Sequence, residues 1–354
     1  MKSLKSALLR HPEVAAPSAG FVALRQHFQS APPSSLEALL IKMGPFVPET
    51  DAFRFRNSFP MTEENAAQLR QHYQLVLDVV SGAGLQQVSG VLSSISLNPF
   101  PIGPSVPLPD AIVNEVGATV TSALSGALLQ QIVAAIPGSF GRCGGMAFSG
   151  YDFYLLGWPV DARLGTTPPT TGDLGDYIFS RLLDSLDLNA KTFLTWIMNL
   201  HVMPIISKTA TVALLTAAGD FGGPIGSAVG ALIGSQVDIF HLGGAGSTLS
   251  STKDEWPKII AKLNAEAAWP IGLIYSDSAS PFAQHQVLAV GYTDNGDGTG
   301  TLTVWDNNDG NQSRVFGLDM RHDELQVSNS DRPLKGIFLE DYTPRQPPLS
   351  QKLS

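Results

Sequence analysis

The chain has few charged residues and a single cysteine. Of its 354 residues, 15% are charged, and Cys143 is the one cysteine, so no intramolecular disulfide can form. This composition favours folding in a reducing compartment. The net charge of −9 and the lack of any Lys/Arg cluster argue against a nucleic-acid partner. The first ten residues have too short an apolar run for a secretory signal, so we expect a cytoplasmic protein or export without a cleavable signal peptide.

Motifs for cofactors and metals are also lacking. None of the 34 glycines belongs to a phosphate-binding loop or a dinucleotide fingerprint. The acidic turns at residues 294–298 and 306–311 do not complete a calcium loop, and hairpin chemistry explains both. We therefore expect neither a cofactor nor a metal ion. In contrast, 44% of the residues are hydrophobic, which predicts a large core and excludes disorder for most of the chain.

The cysteine lies where a glycine-rich loop enters an apolar segment that is predicted to be helical. Glycines flank Cys143 at positions 141, 144 and 145. A thiol at a helix N-terminus is favoured as the thiolate by the helix dipole, and flanking glycines let a substrate backbone approach closely. The simpler alternative is a core cysteine, since free cysteines are among the most buried residues. The glycines on both sides favour the nucleophile.

A histidine and an acid follow at the ends of two predicted strands. His285 begins one strand and Asp306 ends the next, with a hairpin turn at residues 294–298 between them. Both side chains can therefore meet at the same end of a sheet. Asn307 is the alternative orienting residue, but neighbouring strand residues point to opposite faces, so only one of the two can face His285. We choose Asp306, because a carboxylate also stabilises an imidazolium.

These motifs together resemble a known family. Cys-Gly-x-x-Ala-Phe at residues 143–148, followed by His-x-Val-Leu-Ala-Val-Gly-Tyr at 285–292 and a strand ending in an acid, is similar to the papain-like cysteine peptidases. The most similar branch is the double-glycine leader peptidases and their bacterial relatives. The resemblance covers mainly residues 141–157 and 267–308. It implies Cys143 as nucleophile, His285 as general base and Asp306 as the residue that orients the imidazole.

The sequence departs from this family at the oxyanion hole. Those peptidases usually carry a glutamine about six residues before the cysteine, whose amide helps to form the hole, and residues 136–140 contain none. Asn57, in an aromatic run, and Ser139 are the two candidate donors. The alternative for Asn57 is a turn residue before Pro60.

The patterns predict an α+β, papain-like fold, with a helical N-terminal lobe that carries the nucleophile helix and a C-terminal antiparallel sheet. We expect a helical arm at residues 1–50, a catalytic domain at 51–342 with a helical insertion at about 165–250, and a disordered tail at 343–354. The expected helices are at 62–80, 111–135, 172–186, 190–200 and 254–267. The expected strands are at 269–275, 285–293, 301–306, 313–318 and 336–339.

One segment of the predicted insertion has glycines at four-residue spacing, namely Gly222, Gly226, Gly230 and Gly234. On a helix they would share one face and let another backbone approach closely. Packing inside the protein is the favoured interpretation, because the apolar stretch at 221–237 is shorter than the roughly 20 residues that span a membrane. The alternative is a helix that inserts into a membrane or a partner, as in a translocated toxin.

The sequence thus predicts a cysteine-dependent amide hydrolase with a Cys-His-Asp triad, acting on a protein or peptide substrate. A deamidase or acyltransferase effector of bacterial type would use the same three residues. A third alternative is a non-catalytic protein that binds a membrane or a partner through the glycine-spaced helix.

Overall fold

A computed structural model describes residues 44–60, 62–69, 96–97, 106–107, 139–158, 160, 164–170, 172–202, 245–278 and 283–348. The predicted helix at 111–135 and the glycine-spaced segment at 221–237 lie outside these described residues, as does most of the predicted N-terminal arm. Within the described ranges, no helix is both long and apolar enough to cross a membrane.

Three long helices occur among the described residues: α1 (Cys143–Leu155), α2 (Gly172–Ile197) and α3 (Ala245–Glu266). Shorter helical pieces are Pro48–Asp51, residues 63–69, the π-helical turn Met198–Val202 and the 3₁₀ turn Asn307–Asp309. Thr62 caps the helix at residues 63–69, because its hydroxyl oxygen accepts a hydrogen bond from the Asn65 backbone. The two predicted helices of residues 172–200 are one helix up to Ile197. Helix α3 begins at Ala245, before the predicted start at residue 254.

The C-terminal half forms a six-stranded antiparallel sheet. Its strands are β1 (Trp269–Tyr275), β2 (His285–Asp294), β3 (Thr299–Trp305), β4 (Ser313–Asp319), β5 (Gln326–Ser328) and β6 (Leu334–Leu339), in the order β6-β1-β2-β3-β4-β5. All five predicted strands are present, with ends within two residues of the prediction. Two small antiparallel pairs join Phe59–Pro60 to Ser139–Phe140 and Ser96–Leu97 to Val106–Pro107. The described residues thus combine helices with an antiparallel sheet, as the α+β prediction expects.

The sheet has α3 on one face, while α1 packs on the other face and the C-terminal part of α2 packs against Ile274 and Phe338. On β2, Val287 and Ala289 face a core that includes Trp256 and Ile259 of α3, whereas Leu288 faces the core around α1. This alternation follows from the period of two along a strand. Helix α1 is buried from Gly144 to Tyr154, which explains why most of its residues are apolar.

Two of the predicted domain boundaries do not separate the hydrophobic core. Phe46, inside the predicted arm of residues 1–50, is buried in the core around α1. Helix α2 falls inside the predicted insertion at 165–250, yet its Leu174, Tyr177 and Ile178 belong to that same core. The elements on both sides of these limits therefore share one hydrophobic core.

A buried ion pair joins α1 to α2. Nε of Arg181 lies 2.7 Å from Oδ2 of Asp152, and each side chain is at most 2% exposed. The Tyr177 and Tyr342 hydroxyls also donate hydrogen bonds to Asp152. Burial raises the pKa of Asp152 to about 6, although Arg181 and these hydrogen bonds lower it.

The same ion pair binds the C-terminal segment. The Arg345 backbone N–H donates to Asp152 at 2.8 Å, and Arg181 donates to the Thr343 carbonyl oxygen at 2.8 Å. Residues 343–345 are therefore held by buried polar groups where the sequence predicts a disordered tail. A buried carboxylate needs several donors, and the segment supplies one of them.

We expect Asp152→Leu to lower the free energy of unfolding by about 3–5 kcal/mol, because it leaves the buried Arg181 guanidinium without its fully buried partner and with only the half-buried Asp184. The double variant Asp152→Leu/Arg181→Met should lose less than the sum of the two single losses, since it leaves neither charge unpaired. Urea unfolding of the four proteins measures this coupling. Strict additivity of the two losses would contradict an energetic coupling between Asp152 and Arg181.

Candidate active site

Cys143 is the first residue of α1, as predicted, and its side chain is partly exposed. The neighbouring glycines have a packing reason that the sequence does not reveal. A Cβ on Gly144 would lie 2.0 Å from Oε1 of Gln286, and one on Gly145 would lie 2.1 Å from the Ile178 carbonyl oxygen. These glycines therefore allow β2 and α2 to approach the start of α1.

His285 and Asp306 meet at one end of the sheet. His285 begins β2, Asp306 follows β3, and Nε2 of the imidazole lies 2.8 Å from Oδ1 of the carboxylate. Both residues are buried, with 5% and 4% of their surfaces exposed. The second carboxylate oxygen lies 3.7 Å from Nε of Arg314. The structure thus brings together the histidine and the acid that the sequence analysis paired.

The electrostatics favour a charged imidazole. Burial lowers the pKa of His285, but hydrogen bonds and charge interactions with Asp306 and Cys143 outweigh it and raise this pKa to about 10. Burial raises the pKa of Asp306, but the hydrogen bond from His285 contributes to a net lowering. Because Nε2 is bound to Asp306, the other ring nitrogen, Nδ1, is left for the thiol of Cys143.

Asn307, the alternative orienting residue, points to the other side. Its Nδ2 donates to the carbonyl oxygens of Cys143 at 3.1 Å and Gln286 at 3.0 Å. The residue is completely buried. Asn307 therefore ties the start of α1 to β2, and its amide does not take the place of the carboxylate at His285.

Of the two candidate oxyanion donors, Asn57 lies in the site. Its Oδ1 accepts a hydrogen bond from the Arg142 backbone, and its Nδ2 donates to Oδ1 of Asn308 at 3.2 Å. Asn57 thus bridges the loop before Cys143 and the turn after Asp306, which is more than a turn residue does. The backbone of Ser139 pairs with Pro60, and its side chain lies outside the described part of the chain.

Sequence reasoning missed three polar residues at this site. Nδ2 of Asn308 lies 3.1 Å from Nε2 of His285, and Oε1 of Gln286 lies 4.0 Å from the Cys143 sulfur. Gln286 in turn donates from Nε2 to Oε1 of the buried Glu340 at 2.8 Å. Gln286 follows His285 directly in the sequence, so its place beside the site could have been predicted from that neighbour. Nothing near Glu340 in the sequence points to the site, because only the pairing of distant strands brings it there.

A cleft of about 260 Å³ opens at these residues. One end is polar and contains Cys143 and His285, while Leu182, Leu186 and Phe193 of α2 form an apolar wall. Arg332 also lines the cleft, where its guanidinium lies 4.1 Å from the Tyr275 ring and pairs with Asp277. The cleft therefore has both polar and apolar lining residues.

The arrangement places a thiol, an imidazole and a carboxylate at one cleft, and these are the groups that acyl-transfer chemistry by a cysteine nucleophile needs. Among the described residues, no group of three or more histidines, cysteines and acids is placed to hold a metal ion. In comparisons with known proteins, no protein-family model, curated protein or solved structure matches this chain.

Proposed function

We propose that this protein is a cysteine-dependent amide hydrolase with a papain-like fold, acting on protein or peptide substrates. The observation that carries the proposal is the buried His285–Asp306 hydrogen bond at a cleft that Cys143 also lines, where interaction with the thiol helps to raise the pKa of the imidazole. A core cysteine would have no need of a charged, oriented base beside it.

The fold proposal rests on where the elements place these groups. Cys143 begins a helix that is buried against the sheet, and neighbouring antiparallel strands bring His285 and Asp306 to the sheet end that faces it. This order of helix and strands agrees with the resemblance between the sequence motifs and the papain-like peptidases.

The reaction follows from the roles of the three side chains. His285 takes the proton of the Cys143 thiol to give a thiolate–imidazolium pair, which the raised pKa of His285 favours, and the thiolate attacks the carbonyl carbon of the amide. The imidazolium then gives its proton to the departing amine as the C–N bond breaks. Water, deprotonated by His285, attacks the resulting thioester, releases the acid and restores the thiol. Asp306 stabilises the imidazolium in both stages.

The oxyanion needs two donors. Cys143 is in the first turn of α1, where backbone N–H groups have no acceptor within the helix, so its N–H is one candidate. Asn57 supplies the second, because its Nδ2 reaches the same cleft and at present donates to Asn308. A substrate oxygen would replace Asn308 as the acceptor. Ser139 stays the other predicted donor.

Deamidation and acyl transfer need the same residues and remain the alternatives, because they differ only in which amide is attacked and in what accepts the acyl group. The non-catalytic alternative depends on the glycine-spaced segment, which lies outside the described residues. Cytoplasmic location, or export as a bacterial effector or toxin without a cleavable signal, stays a prediction.

We expect Cys143→Ala to abolish turnover while changing the free energy of unfolding by about 1 kcal/mol or less, since little packing is lost at a cleft residue. Mass spectrometry of treated protein substrates should reveal new chain ends for a peptidase, or converted Gln and Asn side chains for a deamidase. Iodoacetamide should label the folded wild type and not the variant. Labelling only after unfolding would identify Cys143 as a core residue and contradict the proposal.

Asp306→Asn should lower kcat/KM by about a hundredfold or more. It should also move the alkaline limb of the pH profile to lower pH. The carboxylate helps to raise the pKa of His285 to about 10, so its loss lowers this pKa and the imidazolium loses its proton earlier. Asp309→Asn is the matched control, because that carboxylate binds Arg314. An unchanged alkaline limb in Asp306→Asn would contradict the assigned role.

Asn57→Ala should lower kcat by about 10²–10³-fold if Asn57 donates to the oxyanion. Its effect on iodoacetamide alkylation should be much smaller, because alkylation builds no charge on a carbonyl oxygen. Asn311→Ala, which removes an exposed amide, is the control. Equal losses of turnover and alkylation would show that Asn57 acts by placing Cys143, and not as an oxyanion donor.

A further inference from the structure

The amide of Gln286 lies between three polar groups at the centre of the site. Its Oε1 faces the Cys143 sulfur at 4.0 Å and the Ser185 hydroxyl at 3.3 Å, and its Nε2 faces Glu340 at 2.8 Å. The oxygen and nitrogen of an amide have nearly the same size, so a half-turn of the group exchanges them without a change in packing. The chemistry of the three neighbours therefore decides which end faces the sulfur.

Ser185 favours a nitrogen on the Cys143 side. Its hydroxyl has one proton, and the Leu182 carbonyl oxygen at 2.8 Å is the nearer acceptor for it. Towards Gln286 the hydroxyl then presents lone pairs. An N–H group at 3.3 Å satisfies these lone pairs, whereas an amide oxygen would repel them.

Glu340 favours an amide oxygen on its own side. The carboxyl is 1% exposed, and its Oε2 has no hydrogen-bond partner among the described residues. Burial raises the pKa of Glu340 to about 8, against the lowering effects of Gln286 and His285, while Asp341 raises it. At neutral pH the carboxyl thus carries a proton that needs an acceptor, and Oε1 of Gln286 is in position to be that acceptor.

Cys143 adds a third reason. A thiol is a weak donor, but a thiolate can only accept hydrogen bonds, and an amide oxygen at 4.0 Å would repel it. A donor at this position would stabilise the thiolate in a site where charge-assisted hydrogen bonds are strong. All three neighbours thus favour the same orientation of Gln286 while Glu340 is protonated.

We propose that the protonated Glu340 carboxyl donates to Oε1 of Gln286, and that Gln286 in turn directs Nε2 at the Cys143 sulfur and stabilises the thiolate. Ionisation of Glu340 reverses the amide, because a carboxylate accepts from Nε2. Glu340 is then a positioning residue that acts on the nucleophile through Gln286. The role given to the thiolate rests on the proposed function, but the orientation of the amide does not.

NMR of the Gln286 side chain tests the orientation directly. The two amide proton signals, identified by their loss in Gln286→Met or Gln286→Glu, should shift between pH 6.5 and 9.5 with a midpoint near 8, where Glu340 ionises. In Glu340→Gln, which keeps a donor of the same size at all pH values, they should not shift in this range. Signals that stay constant in the wild type, or that titrate equally in Glu340→Gln, would overturn the proposal.

Alkylation of the thiol tests the effect on the nucleophile. At pH 6.5, Gln286→Met should react with iodoacetamide about tenfold more slowly than the wild type, because the thiolate loses its donor. Gln326→Met, which replaces an exposed glutamine of β5, should react at the wild-type rate. An unchanged rate in folded Gln286→Met would overturn the stabilising role.

Neither measurement uses a substrate, so the two proposals can fail separately. A protein without hydrolase activity in which the Gln286 signals titrate as described would overturn the proposed function and support the amide switch. An active hydrolase in which the Gln286 signals stay constant would support the proposed function and overturn the amide switch.

Discussion

The buried ion pair between Asp152 and Arg181 is the constraint on which the rest of the described structure depends. Helix α1 carries Cys143 at its first residue, and its buried length is fixed against α2 by this pair. Two charges removed from water are costly unless their remaining hydrogen-bonding groups find partners. Tyr342 and the backbone of Arg345 provide such partners, so the chain after the last strand must return to α1.

At the candidate site, amide side chains do much of the positioning that ion pairs do elsewhere. Asn57 joins the loop before Cys143 to the turn after Asp306, and Asn307 joins Cys143 to β2. An amide both donates and accepts, so it can link two backbone segments without the desolvation cost of a charge. A chain with 15% charged residues uses this solution where a cleft must be both rigid and partly buried. The His285–Asp306 ion pair is therefore a charged contact beside neutral amide side chains.

The sheet was predictable because its signals are local. Alternation along β2 and β3 predicts that only one of Asp306 and Asn307 faces His285, and the chemistry of a carboxylate selected Asp306. The register itself was not predictable, because a β-bulge between Ala289 and Gly291 shifts it by one residue. Strand β5 has only three residues and lacks such a pattern. Helix α2 was predicted as two helices. Hydrophobic periodicity is read over a short window, so it does not show whether a helix continues through residues whose hydrophobic pattern is weak.

The sequence by itself determined the chain order of thiol, histidine and acid, and their places at the ends of a helix and two strands. Only the tertiary structure decided that α2 belongs to the core around α1, that Asn57 enters the cleft, and that Glu340 lies behind Gln286. The sequence also does not show why glycines follow Cys143. The elements that need this space are β2 and α2, which are distant in the chain. The reason is physical. Backbone periodicity acts over a few residues, whereas the partner of a buried polar group is chosen by which distant elements pack together.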